Sequence, residues 1–190
     1  MAQNLASYID GGLWCFRALM VKKGVCSRGY YGNEKIDDII REQLDKKLKG
    51  LSLNLGSGFT NHYTNSVNLD ISFHSLDLND RKGVLYNLNT INYNNSLPFR
   101  KDSFDSASMI GLWPYLKNSE KVFLELQRVV KPKGRVVIVN QNNIVVEELR
   151  VRGNNSDDII DEGFRYFYRT YFEKVPFEGG TIDFIELELA

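Results

Sequence analysis

The sequence predicts an α/β domain in which a mainly parallel sheet is flanked by helices and an antiparallel hairpin forms one edge. After Gly50, short apolar segments alternate with loops and helices, and two segments rich in aromatic and branched residues follow near the C-terminus. The chain has 190 residues, of which 43% are hydrophobic and 25% are charged. This length and composition fit one folded domain with an added element better than two domains.

The first fifty residues are predicted to form a helical N-terminal segment, followed by a single domain over residues 51–190. Residues 13–22 are a candidate short helix. Over residues 34–49, apolar side chains recur at spacings of three and four, which places them on one helix face, and Gly50 ends this helix.

Five strands of a parallel sheet are predicted next, over residues 51–55, 66–70, 84–87, 104–110 and 135–140. The clearest helix between them covers residues 119–130, with Asn118 or Ser119 as its N-cap and the turn residues 131–134 after it.

The C-terminal part is predicted to contain a helix, a loop and the hairpin. The helix covers residues 143–152, and the polar residues 153–158 are expected to form a mobile loop. The hairpin strands are residues 164–172 and 181–189, with turn-forming residues 176–180 between them.

The charge balance and the cysteines predict a cytoplasmic protein. Lys plus Arg and Asp plus Glu both number 24, so no net field attracts nucleic acid or an anionic membrane. Two cysteines are too few for a disulfide scaffold, and the apolar residues 13–21 are too short to cross a membrane and lack the basic start of a signal peptide. We therefore expect a small-molecule partner, no membrane partner and no nucleic acid; the oligomeric state is not predicted.

Two local patterns indicate a ligand site at the ends of the first two strands. Gly56-Ser57-Gly58 follows the first strand, and glycine lets the backbone turn sharply and approach a ligand closely. Asp70 ends the second strand, where a carboxylate can accept hydrogen bonds from both hydroxyls of a ribose. Taken separately, the glycines are also explained by a tight turn and Asp70 by an exposed residue that ends a strand.

A third pattern suggests the family. Leu97-Pro98-Phe99 is followed after four residues by Phe104-Asp105, and Lys131-Pro132-Lys133-Gly134 precedes the fifth strand. In the order and spacing of all these segments, residues 51–140 resemble the class I S-adenosylmethionine (SAM)-dependent methyltransferases of the methyltransferase type 11-like family. The resemblance implies a Rossmann-like fold and S-adenosyl-L-methionine as the cofactor.

The resemblance also implies which residues bind the cofactor. The glycine segment would line its methionine part, Asp70 and Ile71 would hold the ribose and the adenine, Asn87 and Leu88 would lie beside the adenine edge, and residues 110–111 would lie near the sulfonium. The implied cofactor-binding residues are Asn54, Gly56, Ser57, Gly58, Asp70, Ile71, Asn87, Leu88, Ile110 and Gly111.

The sequence departs from the family pattern at three places. Asn54 and Asn87 stand where many relatives have an acid, and an amide offers no negative charge to the cationic cofactor. Only the ten residues 56–65 separate the first two strands, so the helix expected there must be shortened to a turn or lost. These departures predict weaker cofactor binding in a more open pocket.

No catalytic residue can be assigned from the sequence, and no metal-binding motif is present. His62 and His74 are interpreted as surface loop residues, and Trp113 and Tyr115 either contact the acceptor or pack. The predicted function is methyl transfer from SAM to a small-molecule, glycan or natural-product acceptor. The alternatives are a non-catalytic module with the methyltransferase fold that binds or regulates, and an RNA or protein methyltransferase, which the neutral charge disfavours.

Overall fold

The computed structural model describes residues 34–58, 62–72, 75–76, 83–92, 94–140, 155–177 and 180–190. The helices predicted over residues 13–22 and 143–152, and His74, lie outside these ranges.

The described elements follow the predicted order along the chain, except that the helix Ser156–Gly163 was not predicted. They are α1 (Glu34–Lys47), β1 (Ser52–Leu55), β2 (Ser66–Asp70), β3 (Gly83–Leu85), β4 (Phe104–Ile110), α2 (Ser119–Val129), β5 (Val130–Asn140), α3 (Ser156–Gly163), β6 (Arg169–Phe177) and β7 (Gly180–Glu188). Two short 3-10 turns, Leu88–Thr90 and Trp113–Tyr115, follow β3 and β4.

The seven strands form one sheet in the order β3-β2-β1-β4-β5-β7-β6. The first five strands are parallel. β7 runs antiparallel to β5, and β6 runs antiparallel to β7 at the edge. The predicted fold class, a mainly parallel sheet with an antiparallel edge hairpin, is confirmed.

Helices cover both faces of the sheet. Val122, Phe123 and Leu126 of α2 and Ile159 of α3 pack on one face in a single buried cluster with residues of the central strands. On the other face, the buried stripe of α1 packs against β5 and β7, and the residues in this second cluster are Ile36, Ile40, Leu44, Leu48, Ile110, Val137, Val139, Ile182 and Phe184. Because strand side chains alternate between faces, the two clusters take alternate residues of β5 and β7.

An ion network fixes the end of α1. The Nζ of Lys47 lies 2.7 Å from carboxylate oxygens of both Glu173 on β6 and Glu186 on β7. Burial alone would lower the pKa of Lys47, but the hydrogen bonds to the two carboxylates outweigh it and the pKa is raised. The described part of the N-terminal segment therefore shares contacts with the sheet, and the domain boundary at residue 50 stays a prediction.

The face of β1, β2 and β4 on the α1 side carries small polar residues instead of an apolar surface. Ser52 and Asn54 of β1, Asn68 of β2, and residues 106 and 108 of β4, both serines, are all buried. In the described parts of the crossover from β1 to β2, residues 56–58 and 62–65, there is no helix. The Ser66 hydroxyl donates to the Tyr63 carbonyl, which ties the crossover to β2.

The hairpin begins later than the sequence predicts. The first strand starts at Arg169 instead of residue 164 and continues to Phe177, through part of the predicted turn. Phe164 and Phe167 instead close the end of α3, because their amides donate to the carbonyls of Ile160 and Gly163. Phe167 is buried with its ring edge-on to Phe123, so core packing overrides the strand propensity of this aromatic segment.

The prediction of a mobile loop over residues 153–158 is wrong for residues 156–158. Residues 156–158 form the first turn of α3, and the Asn155 side chain caps this helix by accepting from the Asp157 amide at 3.1 Å. The Ser156 hydroxyl donates to Asp183 on β7 at 2.6 Å and accepts from Asn140 on β5 at 2.9 Å. These buried hydrogen bonds hold the start of α3 against the sheet.

Candidate functional site

The predicted cofactor residues lie at one edge of the sheet, at the carboxyl ends of the parallel strands. The glycine segment follows β1, Ile71 follows β2 and Gly111 follows β4, while residues 87–88 lie shortly after β3. The chain moves from β1 to β2 on one side, and β4 lies on the other side of β1, so the strand order reverses beside β1. Open α/β sheets bind ligands in the crevice at such a point. Asn54 lies inside β1 and Ile110 packs towards α1, whereas the other predicted residues lie at or just beyond these strand ends, in the candidate crevice. Contact of any of them with a cofactor stays a prediction.

The glycine segment adopts a backbone conformation that favours glycine. Gly56 and Gly58 have φ angles of +61° and +56°, in the left-handed region. The Ser57 amide donates to the Leu69 carbonyl at 3.1 Å, so the loop after β1 leans towards β2. A Cβ placed on Gly58 would meet no atom of the described residues within 4 Å. Among the described residues, nothing therefore covers this side of Gly58.

Asp70 holds the glycine segment in place. Its Oδ2 accepts from the Gly58 amide at 2.7 Å, and its Oδ1 accepts from the Ser72 amide at 2.7 Å. Asp70 is only 7% exposed, and this burial raises its pKa to about 6, although hydrogen bonds from backbone amides act in the opposite direction. Each carboxylate oxygen has a second lone pair, so these bonds leave acceptor capacity for a ligand hydroxyl.

Asn54 takes part in a hydrogen-bond chain across three strands. Its Nδ2 donates to Oδ1 of Asn68 on β2 at 3.1 Å, and its Oδ1 accepts from the Ser108 hydroxyl on β4 at 3.2 Å. All three side chains are buried. A carboxylate at position 54 would have no proton to donate to the Asn68 oxygen, so the sheet itself explains the amide at this position.

Asn87 and its neighbour Asn89 organise the loop after β3. The Asn87 Oδ1 accepts from the Asn89 amide at 3.0 Å and caps the 3-10 turn in which Leu88 is buried. The Asn89 side chain donates to the Tyr115 carbonyl at 3.0 Å and accepts from the Lys117 amide at 2.8 Å. Asn89 therefore ties the loop after β3 to the loop after β4, a role that the sequence analysis did not assign to it.

The loop after β4 fills part of the crevice. Gly111, with a φ of +59°, donates its amide to the Val139 carbonyl at 2.9 Å, while Ile110 is buried in the cluster with α1. A Cβ placed on Gly56 would lie 2.6 Å from the Cδ1 of Leu112. Leu112 thus packs directly on Gly56, and no sequence pattern pointed to it.

His62 and Trp113, which the sequence analysis considered as catalytic or acceptor-contacting residues, are both buried. His62 is 3% exposed, and its Nε2 lies 2.9 Å from Oδ1 of Asp37 on α1, so its interpretation as a surface loop residue is wrong. The Trp113 ring stacks on Phe123 with ring centroids 5.9 Å apart. Of the two roles considered for Trp113, the structure supports packing.

The Leu97-Pro98-Phe99 segment is held by two side chains of α2 that the sequence analysis missed. Arg128 donates to the carbonyls of Phe99 at 2.7 Å and Leu97 at 3.0 Å, and Glu125 accepts from the Leu97 amide at 2.7 Å. Arg128 and Glu125 also pair with each other at 2.7 Å. Burial alone would raise the pKa of Glu125, but the hydrogen bonds from Arg128 and Leu97 outweigh it and the pKa is lowered. A Glu and an Arg three residues apart on one helix were the available signal.

Asp105 has a structural role in the Phe104-Asp105 pair. Its Oδ2 accepts from the Leu51 amide at 2.9 Å, and its Oδ1 lies 2.7 Å from the Nζ of Lys131. The Lys131 and Leu51 hydrogen bonds lower the pKa of Asp105. Gly50, with a φ of +58°, packs so closely on Asp105 that an added Cβ would lie 2.3 Å from the carboxylate. Asp105 therefore holds the start of β1 in place, and its role in the motif is structural.

The described ranges contain neither a metal-ligand cluster nor a membrane-spanning helix. No group of three His, Cys, Asp or Glu side chains stands close enough in these ranges to hold a metal ion. No helix among the described residues is long and apolar enough to cross a membrane.

Comparisons with known proteins bear on the family and the fold. Residues 53–138 match a family described as a methyltransferase domain. No curated protein sequence matches the chain significantly.

Solved structures share the fold at low sequence identity. A SAM-dependent methyltransferase of Thermotoga maritima, described as a possible histamine N-methyltransferase, is 11% identical with a TM-score of 0.66 over 82% of this chain and 89% of its own. A SAM-dependent methyltransferase of Mesorhizobium loti is 13% identical with a TM-score of 0.59 over 80% and 96%. The cyclase SpnF is 14% identical with a TM-score of 0.62 over 90% and 76%. At these identities the likeness shows the fold.

Proposed function

We propose a function on one premise: the chain has the class I SAM-dependent methyltransferase fold, and its residues 53–138 match the methyltransferase domain family. Its activity is methyl transfer from SAM, and the acceptor is a small molecule, a glycan or a natural-product intermediate.

The observation that carries the proposal is the pairing of Asp70 with Gly58. A buried carboxylate at the end of β2 reaches across to the glycine segment after β1, and no described residue covers the side of Gly58 on which a Cβ would stand. This is the arrangement that a nucleoside needs, with an acceptor for its hydroxyls next to a backbone that allows close approach. The residues present therefore fit the nucleoside part of SAM.

The residues of the crevice would bind and orient. Asp70 would accept hydrogen bonds from ribose hydroxyls, and Gly58 would let the ligand approach the loop backbone. SAM supplies a reactive methyl group on a sulfonium, so the protein's main contribution is alignment of the acceptor. The residues that organise the loops, Asn87 and Asn89, would hold the crevice in a fixed shape.

The proposal includes a cytoplasmic protein whose partner is a small molecule. The equal numbers of acidic and basic residues support this, because a nucleic acid or an anionic membrane surface would favour a basic chain.

A second candidate function is a non-catalytic module that keeps the fold to bind a ligand. The observation that favours it is the use of Asn54 and Asn87, where relatives have acids, in hydrogen bonds within the protein. Such a module would bind SAM weakly or bind another nucleoside, and would not transfer a methyl group.

The test is calorimetric titration of SAM and of S-adenosylhomocysteine (SAH) into the wild type and Asp70→Ala. Loss of charge-assisted bonds to the ribose should weaken binding about tenfold or more in the variant. Asp161→Ala, at an exposed position of α3, is the matched control and should bind as the wild type does.

Equal affinities of wild type and folded Asp70→Ala would place the site elsewhere. Saturable SAM binding without methyl transfer to any of a panel of small acceptors would favour the binding module instead.

A further inference from the structure

We propose that Leu112 determines which nucleosides the crevice accepts, because its side chain fills the space beside Gly56 that the amino-acid arm of SAM would occupy. This inference rests on the proposed function, since it takes the crevice to be the SAM site.

The two glycines of the loop after β1 have opposite surroundings. A Cβ on Gly58 would meet no atom of the part of the chain that the structure describes within 4 Å, whereas a Cβ on Gly56 would lie 2.6, 3.1 and 3.2 Å from Cδ1, Cδ2 and Cγ of Leu112. The isopropyl group of Leu112 therefore occupies the side of Gly56 that faces β4, and a ligand atom cannot occupy the same volume.

The backbone of Leu112 is held in place, so only its side chain can vacate this space. The Gly111 amide is bonded to the Val139 carbonyl at 2.9 Å, and the Leu112 carbonyl accepts from the Tyr115 amide at 3.0 Å. Trp113, the next residue, is buried against Phe123. The side chain of Leu112 itself is only half-buried, which leaves it room to rotate.

The positions of the strands set the direction of a bound ligand. Asp70 and Ile71 follow β2, the glycine segment follows β1 and Leu112 follows β4, and these strands are neighbours in the order β2-β1-β4. A nucleoside whose ribose lies at Asp70 and whose adenine lies towards β3 must extend its 5′ substituent towards β1 and β4. A short substituent ends at the open Gly58, and a long one meets Leu112.

Two ligands separate these cases. 5′-Deoxy-5′-methylthioadenosine and SAH share the adenosine and the thioether sulfur, but the first carries a methyl group where SAH carries an aminocarboxypropyl chain. Leu112 obstructs only the longer chain. The ratio of the affinity for SAH to the affinity for methylthioadenosine should therefore be smaller in the wild type than in a variant with an unobstructed Gly56.

The experiment measures the dissociation constants of both ligands by calorimetry for the wild type, Leu112→Ala, Leu112→Phe and the control Leu124→Ala, whose side chain is 40% exposed on α2. The preference for SAH over methylthioadenosine should rise about tenfold in Leu112→Ala and fall in Leu112→Phe, as expected for the addition or removal of space for a few carbon atoms. Leu124→Ala should keep the wild-type preference.

The outcomes separate the inference from the proposed function. Binding of both ligands with an unchanged preference in all four proteins would overturn the role of Leu112 and leave the SAM site intact. Binding of neither ligand to any of the proteins, each shown to be folded by thermal unfolding, would overturn the proposed function as well. If Leu112→Ala does not fold, Leu112→Phe decides: a lower preference for SAH supports the role of Leu112, and an unchanged or higher preference overturns it.

Discussion

Among single residues, Asp70 combines a structural contact with the proposed ligand contact. Its two oxygens already accept from the amides of Gly58 and Ser72, so the carboxylate shapes the loop before any ligand binds. A change at this position should therefore alter the stability of the protein as well as its binding.

The burial of Asp70 predicts a measurable pH dependence. Burial raises its pKa from 3.8 to about 6, so ionisation is less favourable in the folded than in the unfolded protein. Its favourable contribution to stability is complete below the unfolded pKa and is lost as the pH rises to about 6. The free energy of unfolding of the wild type minus that of Asp70→Asn should therefore fall by about 2 kcal/mol between about pH 4 and pH 7.

Urea unfolding of both proteins across this pH range makes the measurement. Asp161→Asn, at an exposed position, provides the control. A difference between wild type and Asp70→Asn that does not change with pH would contradict the raised pKa.

The candidate site residues that could be proposed from sequence are those that a short pattern around each of them marks out. Gly56, Gly58 and Asp70 stand out because their chemistry is visible in short strand-loop patterns. Leu112 could not be found in this way, because its effect depends on contact with Gly56, which lies in another loop, after β1. His62 was misjudged for the same reason, since its partner Asp37 lies 25 residues away on α1.

Among the elements, α2 has a second function besides packing on the sheet. Its inner face packs in the core, and its Glu125 and Arg128 hold the backbone of residues 97–99 ahead of β4. The helix therefore determines the path by which the chain enters the strand that carries Gly111 and Leu112 at its far end.

Removal of the Arg128 side chain should destabilise the protein. Arg128→Ala loses charge-assisted bonds to two carbonyls and leaves Glu125 without its cationic partner, which should lower the free energy of unfolding by about 2 kcal/mol in urea titrations. Arg128→Lys should recover only part of this, because an ammonium cannot reproduce the planar set of donors.

Arg41→Ala is the matched control, since Arg41 makes an exposed ion pair with Asp38 on α1. Its loss should cost about 0.5 kcal/mol or less. Equal losses in Arg128→Ala and Arg41→Ala would show that the contacts to residues 97–99 contribute little.

The elements themselves were predictable where one physical cause decides them. Strands β2 and β4 begin and end at the predicted residues. Helix α2 has an apolar stripe and an N-cap side chain, and it ends within one residue of its predicted end. The start of β6 was not predictable, because the aromatic residues 164–168 suit a strand equally well and only the burial of Phe167 beside Phe123 assigns them to the end of α3.

At the scale of the whole molecule, α1 and the sheet form one packed unit in the described ranges. Ile40 and Leu44 of α1 are fully buried against residues of β5 and β7, and Lys47 pairs with both hairpin strands. A helix attached in this way should not unfold independently of the sheet.

Leu44→Ala tests this coupling. It should lower the free energy of unfolding by about 2 to 5 kcal/mol and reduce amide hydrogen-exchange protection in β5 and β7 as well as in α1. Leu124→Ala is the exposed control. Loss of protection confined to α1 would show instead that the boundary at residue 50 separates two units.

The position of β7 between β5 and β6 has a consequence for biosynthesis. In the described sheet, β6 pairs only with β7, although the ribosome makes β6 first. A hairpin closes in roughly microseconds once both strands are available, so β6 can join the sheet only when β7 is free to pair with it. Until then the edge of β5 and the aromatic strand β6 lack their described partner, so we expect folding intermediates without β7 to aggregate more readily than the native protein.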